Sequence, residues 1–251
     1  MTVMIPHRLL FLAAMICLDL TSAHAATTIS LRPVADSSIF SDPSLANSNF
    51  GGGATFTAGG RPLGGMCRGL LEFDIAGSVP AGATINSVSL SLTVRDSPPT
   101  SPVPSIFDLN RLTASWAEGN GADRGGSPAG PNQVTWNNRM GSSGSPWTTP
   151  GGDFSSVVSA STMITGTGPY TFASTPKLVS DVQSWLDNPG SDFGWILRSE
   201  NENVIRTIRR FGSRLDSMGS PVLRIQYTLV PEPSAASLLL LGLGALALKR
   251  R

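Results

Sequence analysis

Imidazole chemistry is missing from most of this chain. Its two histidines, His7 and His24, and the first of its two cysteines, Cys17, all fall in the opening 25 residues. With that segment removed, no Ser-His-Asp triad, Cys-His pair or His-ligated zinc can be assembled, and Cys67 has no partner for an intrachain disulfide. What remains able to do chemistry is a set of carboxylates, arginines, tyrosines and tryptophans. The carboxylates are numerous enough for a two-acid glycosidase, yet no pair is marked by spacing. Tyr170 and Tyr227 are the only phenols that could serve a lyase as base, and Tyr227 sits on the apolar side of an alternating segment, a position that favours burial. The residues therefore point to a non-catalytic protein. Asp36 with Asp42, or Glu118 with Asp123, could contribute to a structural Ca²⁺ site, but no EF-hand-like spacing supports one, so no cofactor is expected and the metal content stays open.

Binding chemistry is better represented. All five tryptophans, Trp116, Trp136, Trp147, Trp185 and Trp195, lie in the middle of the chain. Trp147 stands between Pro146 and Thr148 in a Gly/Ser-rich stretch, where an aromatic has few neighbours and is a candidate for stacking on sugar. Arg206, Arg209, Arg210 and Arg214 are the main concentration of positive charge. On a strand over Val204 to Phe211, alternation sends Arg206 and Arg210 to one face and Arg209 to the other. Such a face could pair with uronate carboxylates through bidentate hydrogen bonds; internal pairing with Glu72, Asp74, Glu200 or Glu202 is the alternative. Trp147, Arg206 and Arg210 are thus the carbohydrate-binding candidates. Without its two ends the chain loses four of 18 basic residues and two of 17 acidic ones, leaving a near-neutral middle with no electrostatic case for nucleic acid.

The elements that must position these groups are mostly strands. Val88, Leu90, Leu92 and Val94 alternate with serines and a threonine, and Leu223, Ile225, Tyr227 and Leu229 alternate with polar residues, as half-buried antiparallel strands do. Shorter candidates are Thr27 to Leu31, Ser37 to Phe40, Ala54 to Ala58, Gly69 to Ile75, Ile106 to Leu112, Phe193 to Arg198 and Val204 to Phe211. One segment has a helical period: Leu178, Val182, Trp185 and Leu186, with Thr175 as cap, Pro176 in the first turn and Asn188-Pro189-Gly190 as stop. This pattern predicts an all-β fold, a single antiparallel β-sandwich of jelly-roll type with one short helix, spanning 26–230. The runs Ser97 to Pro104, Gly119 to Pro131 and Gly141 to Gly152 read as long loops within it.

Both ends read as processing segments. Residues 1–25 carry Arg8, an apolar run from Leu9 to Leu18 and the small-residue pattern Ala23-His24-Ala25, the arrangement of a secretory signal peptide cleaved before Ala26. Residues 231–251 carry Pro231-Glu232-Pro233, an apolar stretch over 235–248 and the terminal Lys249-Arg250-Arg251. As a helix that stretch is about 21 Å long, short for a transmembrane span, and its basic end should stay cytoplasmic. The three parts in this order resemble the PEP-CTERM sorting tail of exopolysaccharide-producing Gram-negative bacteria. The resemblance implies recognition by exosortase, a transient membrane anchor and release to the cell surface or extracellular matrix. A permanent anchor is the alternative.

A second resemblance covers nearly the whole middle. Ala35-Asp36-Ser37, Asn49-Phe50-Gly51, Arg68-Gly69-Leu70-Leu71-Glu72-Phe73-Asp74 and Val79-Pro80-Ala81-Gly82-Ala83-Thr84-Ile85 open it. Ser115-Trp116-Ala117-Glu118, Val134-Thr135-Trp136-Asn137-Asn138, Gly194-Trp195-Ile196-Leu197-Arg198-Ser199-Glu200 and Arg210-Phe211-Gly212-Ser213-Arg214 continue it. In this order they resemble the DNRLRE, or disaggregatase-related, family of carbohydrate-binding-module-like sandwiches. That implies an exported protein binding extracellular polysaccharide, since some members bind acidic polysaccharide. The long Gly-rich insertion before Trp136 departs from the pattern, and the lack of an attached catalytic domain argues against hydrolysis. A structural or adhesion protein of the matrix, and a polysaccharide-degrading enzyme, are the other two readings.

Overall fold

The computed structural model describes residues 25–122, 125–141 and 145–229. The expected signal peptide up to His24, with its cleavage residue Ala23, and the tail residues 231–251 lie outside them, while Ala25 and Ala26 are the first described residues. Thirteen strands and one α-helix follow in the order β1 (Thr27–Leu31), β2 (Ala35–Phe40), β3 (Ser48–Asn49), β4 (Thr55–Gly60), β5 (Met66–Glu72), β6 (Thr84–Asp96), β7 (Ser105–Leu112), β8 (Ser127–Pro128), β9 (Phe154–Ile164), β10 (Gly168–Phe172), α1 (Pro176–Asp187), β11 (Trp195–Ser199), β12 (Arg209–Gly212) and β13 (Val222–Thr228). All strand pairings are antiparallel, and eleven strands form one curled sheet.

The curl has a seam at β4. Its Thr55–Ala58 portion pairs with β12, while Gly59 and Gly60 pair with Cys67 and Met66 of β5. Gly59 has a φ of 112°, and a Cβ there would meet Thr207 backbone at 2.7 Å, so only glycine lets the strand change partners at this point. On one side of the seam β6 is central, with β10 along one edge and β12 followed by β13 along the other. On the other side β5 lies between β2 and β11, and β11 leads through β7 to β9. The expected sandwich strands are therefore joined through β4 into a single curled antiparallel sheet.

The two halves share a core. Val88, Leu90, Leu92 and Val94 of β6 face Leu71, Phe107, Leu109, Trp195 and Leu197, with Phe56 stacked on Phe211 at 5.3 Å between ring centroids. Period-two alternation on β6 is what makes this possible, because it places these four apolar side chains on one face. The helix closes the core with Leu178, Val182, Trp185 and Leu186, and starts where Thr175 Oγ1 accepts the Leu178 N–H at 3.0 Å. Among the described residues no helix is long and apolar enough to cross a membrane.

Two elements differ from expectation. The β9–β10 hairpin carries no clear alternation because β9 shifts register against β7 at Leu109/Asn110 and again at Asn110/Leu112, and each shift reverses which residues face inward. Conversely, the strand expected over Val204 to Phe211 begins only at Arg209. Residues before it form a turn in which the Val204 N–H reaches the Asn201 carbonyl at 2.8 Å and Arg206 has a φ of 68°. Arg206 and Arg210 thus do not share a strand face.

A buried carboxylate pins the helix to the sheet. Asp181 has no exposed surface and accepts hydrogen bonds from Ser159 Oγ on β9, Trp195 Nε1 on β11 at 3.2 Å, and Lys177 Nζ one turn earlier. Asp181→Ala strands all three donors. Breaking a buried ion pair costs ~3–5 kcal/mol, and because Lys177 can partly rehydrate, a loss of about 3 kcal/mol is expected in urea unfolding, with Asp181→Asn losing less.

Candidate functional site

The segment between β7 and β9 does not hang free as a loop. It folds onto the outer face of the β5–β11–β7 half, where Trp116, Val134, Trp136 and Trp147 pack on Ile39, Leu70, Leu112 and Ile196. Trp147, expected to be exposed, is only 3% exposed and donates its indole N–H to the Thr135 carbonyl at 3.0 Å, so it offers no open ring face. The correction has a visible cause. Leu70-Leu71 and Trp195-Ile196-Leu197 are consecutive apolar residues on strands, which require cover on both faces of the sheet.

Where this insert rejoins the sheet it leaves a cleft of about 580 Å³, lined among others by Arg68, Thr113, Thr148, Thr149, Asp153 and Phe154. Asp153 shapes its wall: its carboxylate accepts the N–H groups of Thr148 and Thr149 at 2.9 and 3.1 Å, and its carbonyl accepts the Thr113 N–H at 2.9 Å. Arg68 forms the floor. Its Nε and Nη2 donate to Glu202 at 3.0 and 2.6 Å, and its Nη1 to the Gly151 carbonyl at 2.8 Å. The guanidinium lies 5.0 Å from the Trp136 ring centroid and 5.3 Å from that of Phe154. Gly151 has a φ of 99°, and a Cβ there would meet the Trp136 ring at 2.7 Å and Arg68 Nη1 at 2.8 Å, so the floor requires glycine. None of these residues was singled out for binding by sequence reasoning; Arg68 and Glu202 are too far apart in the chain for their pairing to be read.

The candidate arginines are dispersed. Arg206 is exposed on its turn, whereas Arg210 lies 3.9 Å from Asp96 and lines a separate groove of about 190 Å³ with Pro62, Pro98, Pro99 and Ile208. Arg209 is fully buried, and burial lowers its pKa. Arg214 donates Nε and Nη2 to Glu118, each at 2.6 Å, and its backbone N–H to Asp36 at 2.6 Å. Asp36 and Asp42 are therefore apart in role: Asp42 accepts from Ser44 and pairs with Arg61 at 2.9 Å. Among the described residues no group of three or more His, Cys, Asp or Glu side chains is placed to hold a metal ion. Cys67 is buried with its thiol on the Gly59 carbonyl at 3.0 Å, and burial pushes its pKa up.

Three carboxyl groups are held against their usual ionisation. Burial, with Glu118 nearby, pushes Asp36 up to about 7 against the opposing Arg214 N–H; burial and Glu118 push Glu72 to about 7; burial and Glu72 push Asp192 to about 7. Folded pKa values above the unfolded ones mean that the folded chain binds more protons between about pH 4 and 7. Stability from these groups is thus greatest at the acid end of that window and falls as pH rises through it. Glu72→Gln is expected to raise the melting temperature at pH 8 and flatten its decline between pH 5 and 8, as thermal melts across that range would record.

The end of the body is also a functional feature. Residues 229–251 match the family model described as the PEP-CTERM protein-sorting motif, which begins immediately after β13. No curated protein matches the chain. The motif makes this an exported protein, sorted in an exosortase-dependent way to the cell envelope or surface. Pairing of β1 with β13 sets Thr27 opposite Tyr227, so the chain enters and leaves the body side by side.

Proposed function

We propose that the protein is a non-catalytic surface or matrix module that binds extracellular polysaccharide in the cleft between Thr113, Thr149 and Phe154, in a body of the DNRLRE, jelly-roll-like type. The cleft carries this reading. It is open, large enough for a sugar unit, and rimmed by the exposed threonines Thr113, Thr148 and Thr149 beside a partly exposed aromatic ring. The curled antiparallel sheet with a single helix and the Trp-bearing insert is consistent with the family resemblance. Two-acid hydrolysis is disfavoured because Asp153 is the only carboxylate lining the cleft among the described residues, and both its oxygens are engaged by the loop they hold. Release by exosortase into the matrix of a Gram-negative cell, with the tail as a temporary anchor, completes the reading.

Affinity gel electrophoresis against the producing cell's own extracellular polymer tests it. Retardation is expected, with at least a tenfold loss in Thr149→Trp, whose indole fills the cleft from an exposed position. No retardation by any glycan would favour the adhesion reading, and new reducing ends or unsaturated products would favour the enzymatic one. For the tail, replacing Pro231, Glu232 and Pro233 by alanine is expected to leave the intact mass of the recovered protein carrying residues 231–251, where the natural sequence yields a shortened form.

A further inference from the structure

Charge pairing inside the cleft carries a conclusion about which sugars fit it. Among the described residues two charged side chains line the cleft, Arg68 and Asp153. Three of the five N–H donors of Arg68 are taken, two by the Glu202 carboxylate and one by the Gly151 carbonyl, and its charge is already balanced by Glu202, so it brings no net positive charge to a ligand carboxylate. Its side chain is 12% exposed and that of Glu202 9%, so a ligand that drew Arg68 away would leave a buried carboxylate unpaired. Asp153, in contrast, is held by two backbone N–H groups at 2.9 and 3.1 Å and has no arginine or lysine within ion-pair distance among the described residues. The other polar side chains lining the cleft are Thr113, Thr148 and Thr149, for whose hydroxyls no partner is seen among the described residues.

We infer that the cleft selects a sugar unit bearing no acidic group, which Thr113, Thr148 and Thr149 address through its hydroxyls while Asp153 repels carboxylate and sulfate. The inference rests on the reading of the cleft as a glycan site. A second cation lies nearby, but Arg198 does not line the cleft: its guanidinium lies 5.2 Å from the Phe154 ring centroid and its Nε donates to Asn110 Oδ1 at 3.0 Å. The two arginines proposed from the sequence for a uronate, Arg206 and Arg210, do not line this cleft, and Arg210 lines the groove near Pro98 instead.

The test is affinity electrophoresis of the exported protein in gels containing dextran, hydroxyethylcellulose or galactomannan as neutral polymers, and alginate or polygalacturonate as acidic ones. At least one neutral polymer is expected to bind at least tenfold more tightly than either acidic one, with little change between low and high salt, and with loss of binding in Thr149→Trp. Asp153→Asn keeps one acceptor for the loop and removes the negative charge, and is expected to narrow the ratio of neutral to acidic affinity severalfold. Preferential acidic binding that Thr149→Trp abolishes overturns the inference and leaves the glycan site standing. Binding of either class that is insensitive to Thr149→Trp, or no binding at all, removes the site and the inference together.

Discussion

Arg209 is a buried cation with no carboxylate partner among the described residues, and the segments around it are arranged on its guanidinium. Its Nη1 donates to the carbonyls of Arg206, Thr207 and Ile208, and its Nη2 to those of Val103, Ile164 and Thr165. These carbonyls come from the loop before β12, the Pro-rich loop before β7 and the β9–β10 turn. None of those segments could satisfy its own inward-pointing carbonyls, because each is too short and irregular to pair in a ladder. One planar donor fork serves all three, so the loops cannot move independently, and the price is a charged group kept out of water. Arg206, Arg210 and the groove near Pro98 hold their positions on the surface because Arg209 holds the segments beneath them.

The same need to cover polar and apolar surface explains the insert. With consecutive apolar residues on β5 and β11, the second half of the sheet requires packing on its outer face as well as its inner one. Trp116, Trp136 and Trp147 provide it, and the polar links are supplied by Asn49, which is fully buried. Asn49 Nδ2 donates to the carbonyls of Glu118 and Val134, and its Oδ1 accepts the N–H groups of Gly51 and Gly121. A chain poor in charge, with 14% charged residues, must fix long loops through amides and backbone contacts of this kind. The cleft is a by-product of that layer: it opens where the insert ends and β9 begins.

How far the sequence discloses this depends on the range of the interactions. β6, β13 and α1 are legible because each carries an unbroken period along its own length, and the helix caps at Thr175 and Asn188 are local chemistry. β9 is hidden by its two register shifts, and β12 is overextended because Val204 and Ile205 look like strand residues while being 44% and 50% exposed on a turn. Trp147 misleads for a related reason: a Gly/Ser-rich neighbourhood suggests exposure only when nothing else in the chain demands cover. The doubled apolar residues at Leu70-Leu71 and Ile196-Leu197 contain that demand. Nothing local, however, connects Arg68 with Glu202 or Arg214 with Glu118, since those pairs exist only once the strands between them are stacked.

The pairing of β1 with β13 connects the fold to the sorting motif. Thr84 of β6 lies opposite Thr228, and β6 then runs to Asp96, which at ~3.3 Å per residue puts the far end of the strand about 40 Å from the chain ends. Arg210 pairs with Asp96, so the Arg209 knot lies at that far end. The entering and leaving chain are thus gathered at one pole, and the segments most tightly tied together by side chains lie at the other. The sorting motif, which implies processing by exosortase, starts at that exit. The strand nearest that exit is β13, which is held between β1 and β6 and buries Leu223, Ile225 and Tyr227 in the common core, so the residues of the cleft and the loops around Arg209 lie on other strands than the one that leads to the motif.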